Sequence, residues 1–217
     1  MTHSFDKEYW DRIWAGDRAA SMGASETNPH LVRELDGVPA GTALDAGCGA
    51  GAEAVWLARK GWQVTAVDVA ADALAIATER AAASGVGDRV RWVEADLSTW
   101  RPDEQYDLVT THYAHPAMSQ LEFYDRIASW VAPAGTLFIV GHLHHDDHAT
   151  DHEETEAHAD GGPPAAASAT AATITARLDP AAWEIVTAEE SHRAVDRPDD
   201  GAPSTLHDVV VRARRRR

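Results

Sequence analysis

Three glycines at alternate positions, Gly47, Gly49 and Gly51, follow the apolar run Thr42-Ala43-Leu44-Asp45-Ala46 and precede a helical pattern carried by Ala52, Val55, Trp56, Leu57 and Ala58. A strand that turns sharply into a helix needs residues without a Cβ at the bend, because the backbone adopts strained dihedrals and can pass close to a ligand. The N–H groups at the start of such a helix offer a site to a polar or negatively charged ligand group. A second short strand, Gln63 to Val67, ends in Asp68, with Val69 directly after it. An acid at the tip of the neighbouring strand is placed to accept hydrogen bonds from a ribose diol. Glycine turn and ribose acid together predict a nucleoside-containing cofactor. Further on, a strand from Asp107 to Thr111 delivers His112, Tyr113 and His115 to its end. An imidazole there has an ordinary pKa suited to a general base, which makes His112 the first candidate.

Spacing narrows the cofactor. The dinucleotide fingerprint is G-x-G-x-x-G, which seats a pyrophosphate on the helix N-terminus. Here the spacing is G-x-G-x-G with Asp45 two positions before the first glycine. That carboxylate would repel a pyrophosphate but could pair, directly or through water, with an ammonium group. The pattern Leu44-Asp45-Ala46-Gly47-Cys48-Gly49-Ala50-Gly51 resembles motif I of the class I S-adenosylmethionine-dependent methyltransferases. The resemblance continues in order through Val67-Asp68, Glu94-Ala95-Asp96-Leu97, Tyr106-Asp107-Leu108-Val109 and Pro133-Ala134-Gly135-Thr136-Leu137. It implies an α/β fold: a doubly wound, mostly parallel, seven-stranded Rossmann-like sheet with an antiparallel last strand. It also implies S-adenosyl-L-methionine as methyl donor. By the same resemblance Asp45 would fix the methionine end, and Gly47, Cys48, Gly49 and Gly51 would run along the cofactor. Asp68 and Val69 would meet the ribose, Asp96 and Leu97 the adenine, and Thr111 and His112 the methyl-donating face. His112 and Tyr113 are the catalytic candidates. The N-terminal segment resembles that of the thiopurine and tellurite-resistance methyltransferases. The expected reaction is methyl transfer to a small-molecule acceptor, either a thiol or metalloid or a natural-product oxygen or nitrogen.

Composition agrees with one domain. The chain has 217 residues, 44% of them hydrophobic, enough for one α/β core. No apolar run approaches the ~20 residues of a membrane span, and no signal-peptide pattern opens the sequence. The single cysteine, Cys48, precludes an intramolecular disulfide and reads as a small packing residue. Cytoplasmic residence is the default expectation, as monomer or homodimer without a membrane partner. The formal charge of −16 argues against a nucleic-acid substrate, because phosphate binding depends on basic groups. The arginines of 212–217 read as a basic, frayed tail.

The elements that must position these groups alternate. Helix signals follow the first strand to Arg59 and recur from Asp72 to Ser84, each stopped by glycine. Val90–Val93 is a third strand, Ser119–Trp130 a helix, Thr136–Val140 a fifth strand. A helix from Ser168 to Leu178 precedes two final strands, Trp183–Thr187 and Leu206–Val211. In residues 1–40, Tyr9-Trp10-Asp11-Arg12-Ile13-Trp14 forms a helix with an aromatic face, either packed on the domain edge or serving as a lid over the cofactor. Residues 142–165 form a His/Asp/Glu-rich insertion, read as a mobile loop. Its tract 142–158 has the composition of a metal-binding segment without the spacing of a closed site, so no metal ligands are assigned. The alternative function is a metal-binding stress-response module built on that tract.

Overall fold

The computed structural model describes residues 5–16, 18–143, 169–195 and 204–217. Seven strands form one sheet: β1 (Thr42–Ala46), β2 (Gln63–Asp68), β3 (Val90–Glu94), β4 (Tyr106–His112), β5 (Val131–His142), β6 (Trp183–Val195) and β7 (Ser204–Arg215). Their order is β3-β2-β1-β4-β5-β7-β6. The first five run parallel, and β7 inserts antiparallel between β5 and β6. The apolar runs of β1, β2, β4 and β5 follow from helices covering both faces, which leaves the strand interiors no wet side. Leu44, Val67, Val109 and Ile139 pack on one face; Ala43, Val64, Leu108 and Phe138 pack on the other. The chain reverses its direction of winding between β1 and β4, and open α/β sheets bind ligands in the crevice at such a point.

Seven helices accompany the strands among the described residues. They are α1 (Lys7–Ala15), α2 (Arg18–Gly23), α3 (Pro29–Leu35), α4 (Ala52–Arg59), α5 (Ala71–Ala83), α6 (Gln120–Ala128) and α7 (Ala171–Thr175). Asp6 caps α1 and Ser119 caps α6, each side chain accepting a backbone N–H in the first turn. The helix expected from Ser168 is shorter: Thr170 caps α7 in a reciprocal capping box with Thr173, and Ser168 lies outside the described residues. No helix among the described residues is long and apolar enough to cross a membrane.

The final arginines are not a frayed tail. Arg212, Arg214 and Arg215 lie in β7; the first two pair with β5 on one side and β6 on the other, and Arg215 with β6. Ala213 between them is fully buried, and Arg212 donates to the Glu34 carbonyl at 2.6 Å. Alternation explains the misreading: in a strand with one covered face, arginines on the other face look like a solvated run. The histidine-rich tract beyond Leu143, residues 144–158 of the candidate metal segment included, lies outside the described residues. Among the described residues no group of three or more His, Cys, Asp or Glu is placed to hold a metal.

Deleting residues 212–217 should therefore cost about 2–4 kcal/mol and lower Tm by roughly 5–10 °C. Thermal melts of the truncated and full chains check this; an unchanged Tm would restore the frayed tail.

Candidate active site

A cavity of about 600 Å³ opens at the carboxyl ends of β1, β2 and β4. Its floor is the glycine turn. Gly47 and Gly49 hold φ of +82° and +49°, and a Cβ on Gly47 would lie 2.3 Å from that of Ala114. Both glycines line the cavity, as does Cys48. The turn closes on itself, however. The Gly47 and Cys48 N–H groups donate to the Val67 carbonyl at 2.8 and 3.1 Å, and Gly51 N–H donates to the Cys48 carbonyl at 2.8 Å. The N–H groups expected to face a ligand are thus largely spent on the protein. Gly51 is also absent from the lining: at φ +75°, its Cβ would meet the Trp92 ring at 2.7 Å and Ala77 at 2.9 Å. It is a close-packing glycine between α4, α5 and β3.

Asp68 sits at the tip of β2, half-buried on the cavity wall beside Val69. Its Oδ2 accepts the Gly49 N–H at 2.8 Å and its Oδ1 accepts the Ala70 N–H at 3.0 Å. Each carboxylate oxygen has a second lone pair, so capacity remains for hydroxyl donors. Burial pushes the Asp68 carboxyl up; the bonds from Ala70 and Gly49 oppose this. Asp96 and Leu97 continue the wall after β3, with Asp96 Oδ1 held by the Ser98 N–H at 2.8 Å.

Two expected cofactor residues lie behind the wall. Thr111 is buried and donates its hydroxyl to the Ala46 carbonyl at 2.8 Å, tying β4 to β1. Asp45 is 1% exposed; Ala54 N–H reaches its carboxylate, while Oδ2 has no partner. Burial drives its pKa well up, with Glu53 and Asp68 adding like charge. The carboxylate that does reach the cavity beside the glycine turn is Glu53, in the first turn of α4. The sequence reading missed it, although an acid two residues past the last glycine was there to be seen. Cys48 is a buried thiol whose pKa burial pushes well up, as a packing residue requires.

The segment after β4 supplies the imidazoles. Both ring nitrogens of His112 are buried and lack hydrogen-bond partners, and burial lowers its pKa. Tyr113 has φ of +55°, a strained backbone for a bulky residue. Its hydroxyl donates to Asp208 Oδ1 at 2.8 Å and accepts from Asn28 Nδ2 at 3.2 Å. Asp208, fully buried on β7, also meets His30 Nε2 of α3 at 3.1 Å. Tyr113, directly after β4, lines the cavity and is held in a polar network with β7 and the α3 cap.

Residues 5–29 form the remaining wall through Phe5, Trp10, Trp14 and Asn28. Lys7 fastens α1 to the tips of β2 and β3, donating to the Val69 carbonyl at 2.9 Å and to Glu94 at 3.0 Å. Arg80 holds the Gly23 and Ser25 carbonyls, each at 2.9 Å, and Glu53 accepts the Asn28 N–H at 2.9 Å.

A doubly wound sheet with an antiparallel seventh strand, a glycine turn at its switch point and an acid at the tip of β2 define the methyltransferase architecture. The chain matches the methyltransferase-domain family over residues 43–135. It is 31% identical over 102 residues to thiocyanate methyltransferase 1 of Arabidopsis thaliana, covering 46% of this chain and 44% of that protein. It spans about half or less of the length of the curated relatives it matches. In fold it is similar to TehB from Haemophilus influenzae, with TM-score 0.67, 15% identity and coverage of 97% and 67%. It is also similar to N-methyltransferase NodS from Bradyrhizobium japonicum, solved with S-adenosyl-L-homocysteine, with TM-score 0.64, 19% identity and coverage of 96% and 97%.

The buried Asp45 gives a test with a definite sign. Its folded pKa lies above the unfolded value, so the stability linked to its protonation is present at low pH and lost as pH rises through the folded pKa. Asp45→Asn should raise the Tm of the ligand-free protein at pH 8 by several °C. The gain should vanish towards pH 4. Melts across that range check it, and a variant equally destabilised at every pH would reverse the assignment.

Proposed function

We propose that the chain binds S-adenosyl-L-methionine in this cavity and methylates a small-molecule acceptor. The observation that carries the reading is Asp68, a carboxylate at the sheet's switch point, locked to the glycine turn and still able to accept two hydroxyls. The cavity fits the donor in three further respects. Gly47 and Gly49 leave room where a Cβ would intrude, Leu97 offers an apolar flank beside Asp96, and Glu53 sets a negative charge where the methionine ammonium would lie. When bound, the donor supplies an electrophilic methyl on a sulfonium, transferred by in-line displacement.

The residues of this chain bind, align and exclude water. Asp68 would accept both ribose hydroxyls and Asp96 the adenine amino group. The faces of Trp10 and Trp14 would favour a sulfonium cation, and the Phe5–Pro29 wall would serve as the lid over it. Imidazoles held neutral by burial, His112 and His115, add no repulsion to that cation. A cavity of about 600 Å³, walled on one side by the N-terminal segment, suits a small acceptor beside the donor. The acidic chain suits no nucleic acid. The relatives' names specify thiocyanate in one case and nitrogen in another, so the fold leaves the acceptor to the site.

Calorimetric titration with S-adenosyl-L-homocysteine tests the reading. The wild-type chain should bind it without added metal. Asp68→Ala should weaken binding by about 1.5–3 kcal/mol through loss of a charged acceptor. Asp68→Asn, which retains a carbonyl for the Gly49 N–H, separates that loss from a collapsed turn. Unchanged affinity in both variants would overturn the ribose assignment.

A further inference from the structure

One imidazole in the cavity wall is oriented and the other is not. Among the described residues His112 has no partner on either ring nitrogen, so none of them selects its tautomer. His115, 8% exposed, differs. Its Nδ1 lies 3.0 Å from Gln120 Oε1, and the same amide donates from Nε2 to the Ala114 carbonyl at 3.0 Å. A carbonyl can only accept, so the Gln120 NH₂ must face Ala114 and its oxygen must face the ring. An oxygen facing Nδ1 requires a hydrogen there. In the neutral imidazole the lone pair then falls on Nε2, which is buried and has no partner. The buried Tyr124 hydroxyl, its pKa pushed up to about 12, also hydrogen-bonds the Gln120 amide and fixes it further.

We propose that His115 is the general base of the methyl transfer, that Gln120 is the positioning residue that fixes its tautomer, and that the acceptor is therefore a protic nucleophile, a hydroxyl or an amine. The proposal rests on the methyl-transfer reading above and adds the class of acceptor. As the acceptor oxygen or nitrogen forms its bond to the methyl carbon, the methyl–sulfur bond breaks and its electron pair stays on sulfur, leaving a neutral thioether. His115 Nε2 takes the acceptor's proton and later yields it to water. An anionic acceptor such as a halide has no proton to give, and needs no such group. Burial lowers the pKa of His115, which keeps the lone pair available near neutral pH.

Its surroundings suit the task. Phe5 of the N-terminal segment lies over the ring, centroids 5.4 Å apart, and Trp10 of α1 donates to the His115 carbonyl at 3.1 Å. Among the described residues a titratable neighbour is His142 at the end of β5, stacked at 5.9 Å; on α6 the facing group is the neutral Gln120. His115 and Phe5 both line the cavity.

The test has a spectroscopic and a kinetic arm. In protein labelled with ¹⁵N-histidine, the His115 signal, assigned by its loss in His115→Asn, should show Nδ1 protonated and Nε2 bare. The Nε2–H tautomer would overturn the proposal whatever the activity. Acceptors offered are phenol, catechol, benzylamine and iodide. Wild-type enzyme should methylate at least one of the first three. His115→Asn, which keeps a donor towards Gln120, should lose ~100-fold or more of that turnover while binding S-adenosyl-L-homocysteine as before. Gln120→Glu should hold the imidazolium and move the acidic limb of the pH profile upward, a shift that a packing role would not produce. Methylation of iodide alone, or an unshifted limb, would overturn the base. A wild-type chain that fails to bind S-adenosyl-L-homocysteine would remove the methyl-transfer reading as well, which the tautomer by itself would not.

Discussion

The carboxylate of Asp68 joins two parts of the chain that neither could hold alone. The glycine turn has backbone dihedrals that cost conformational entropy, and its N–H groups must be satisfied before they can be buried. Val67 supplies a carbonyl for two of them, and Asp68, the next residue, supplies an oxygen for a third. The tip of β2 is thereby the template on which the turn is shaped. The adjacency of β2 and β1 is fixed by their parallel register, so the acid and the turn meet only because the sheet is correctly ordered.

Electrostatics follow from that meeting. Glu53 and Asp68 line the cavity and Asp45 lies buried behind it; burial raises Asp45 and Asp68, and like charge from Glu53 and Asp68 adds to the rise of Asp45. Such a cluster is destabilised when empty and relieved by a cation, which matches a ligand bearing an ammonium and a sulfonium. After β4 the polar groups are two imidazoles whose pKa burial lowers and a phenol fixed by Asp208, linked to Glu53 through Asn28.

Much of this was legible in the chain. Buried parallel strands announce themselves as apolar runs between glycine stops, and the turn and Asp68 carry their spacing openly. What escaped has a common cause in distance. Gly51 looked like a ligand-facing glycine because its true neighbour, Trp92, lies forty-one positions away and arrives only with β3. The network of His30, Tyr113 and Asp208 draws on three remote segments, so no local pattern could reveal it. Asp45 was placed correctly at the end of β1, but whether its side chain reached the cavity or lay behind it depended on packing that spacing does not record. The alternating arginines of β7 misled because a sheet face with a wet side resembles a tail.

The place of β7 has a consequence for how the molecule is made. It follows β6 in the chain yet lies inside it in the sheet, so β6 has no berth until β7 has been laid against β5. On a ribosome delivering ~5–20 residues per second, the stretch from Leu143 to Ser204 takes about 3–12 s to appear. Throughout that interval Phe138, Ile139 and Val140 stand on a bare strand edge, which is a template for pairing with another nascent chain. For the β5 edge the danger of aggregation is therefore concentrated in biosynthesis, before β7 covers it, and slower growth at low temperature lengthens the interval even as it weakens hydrophobic association.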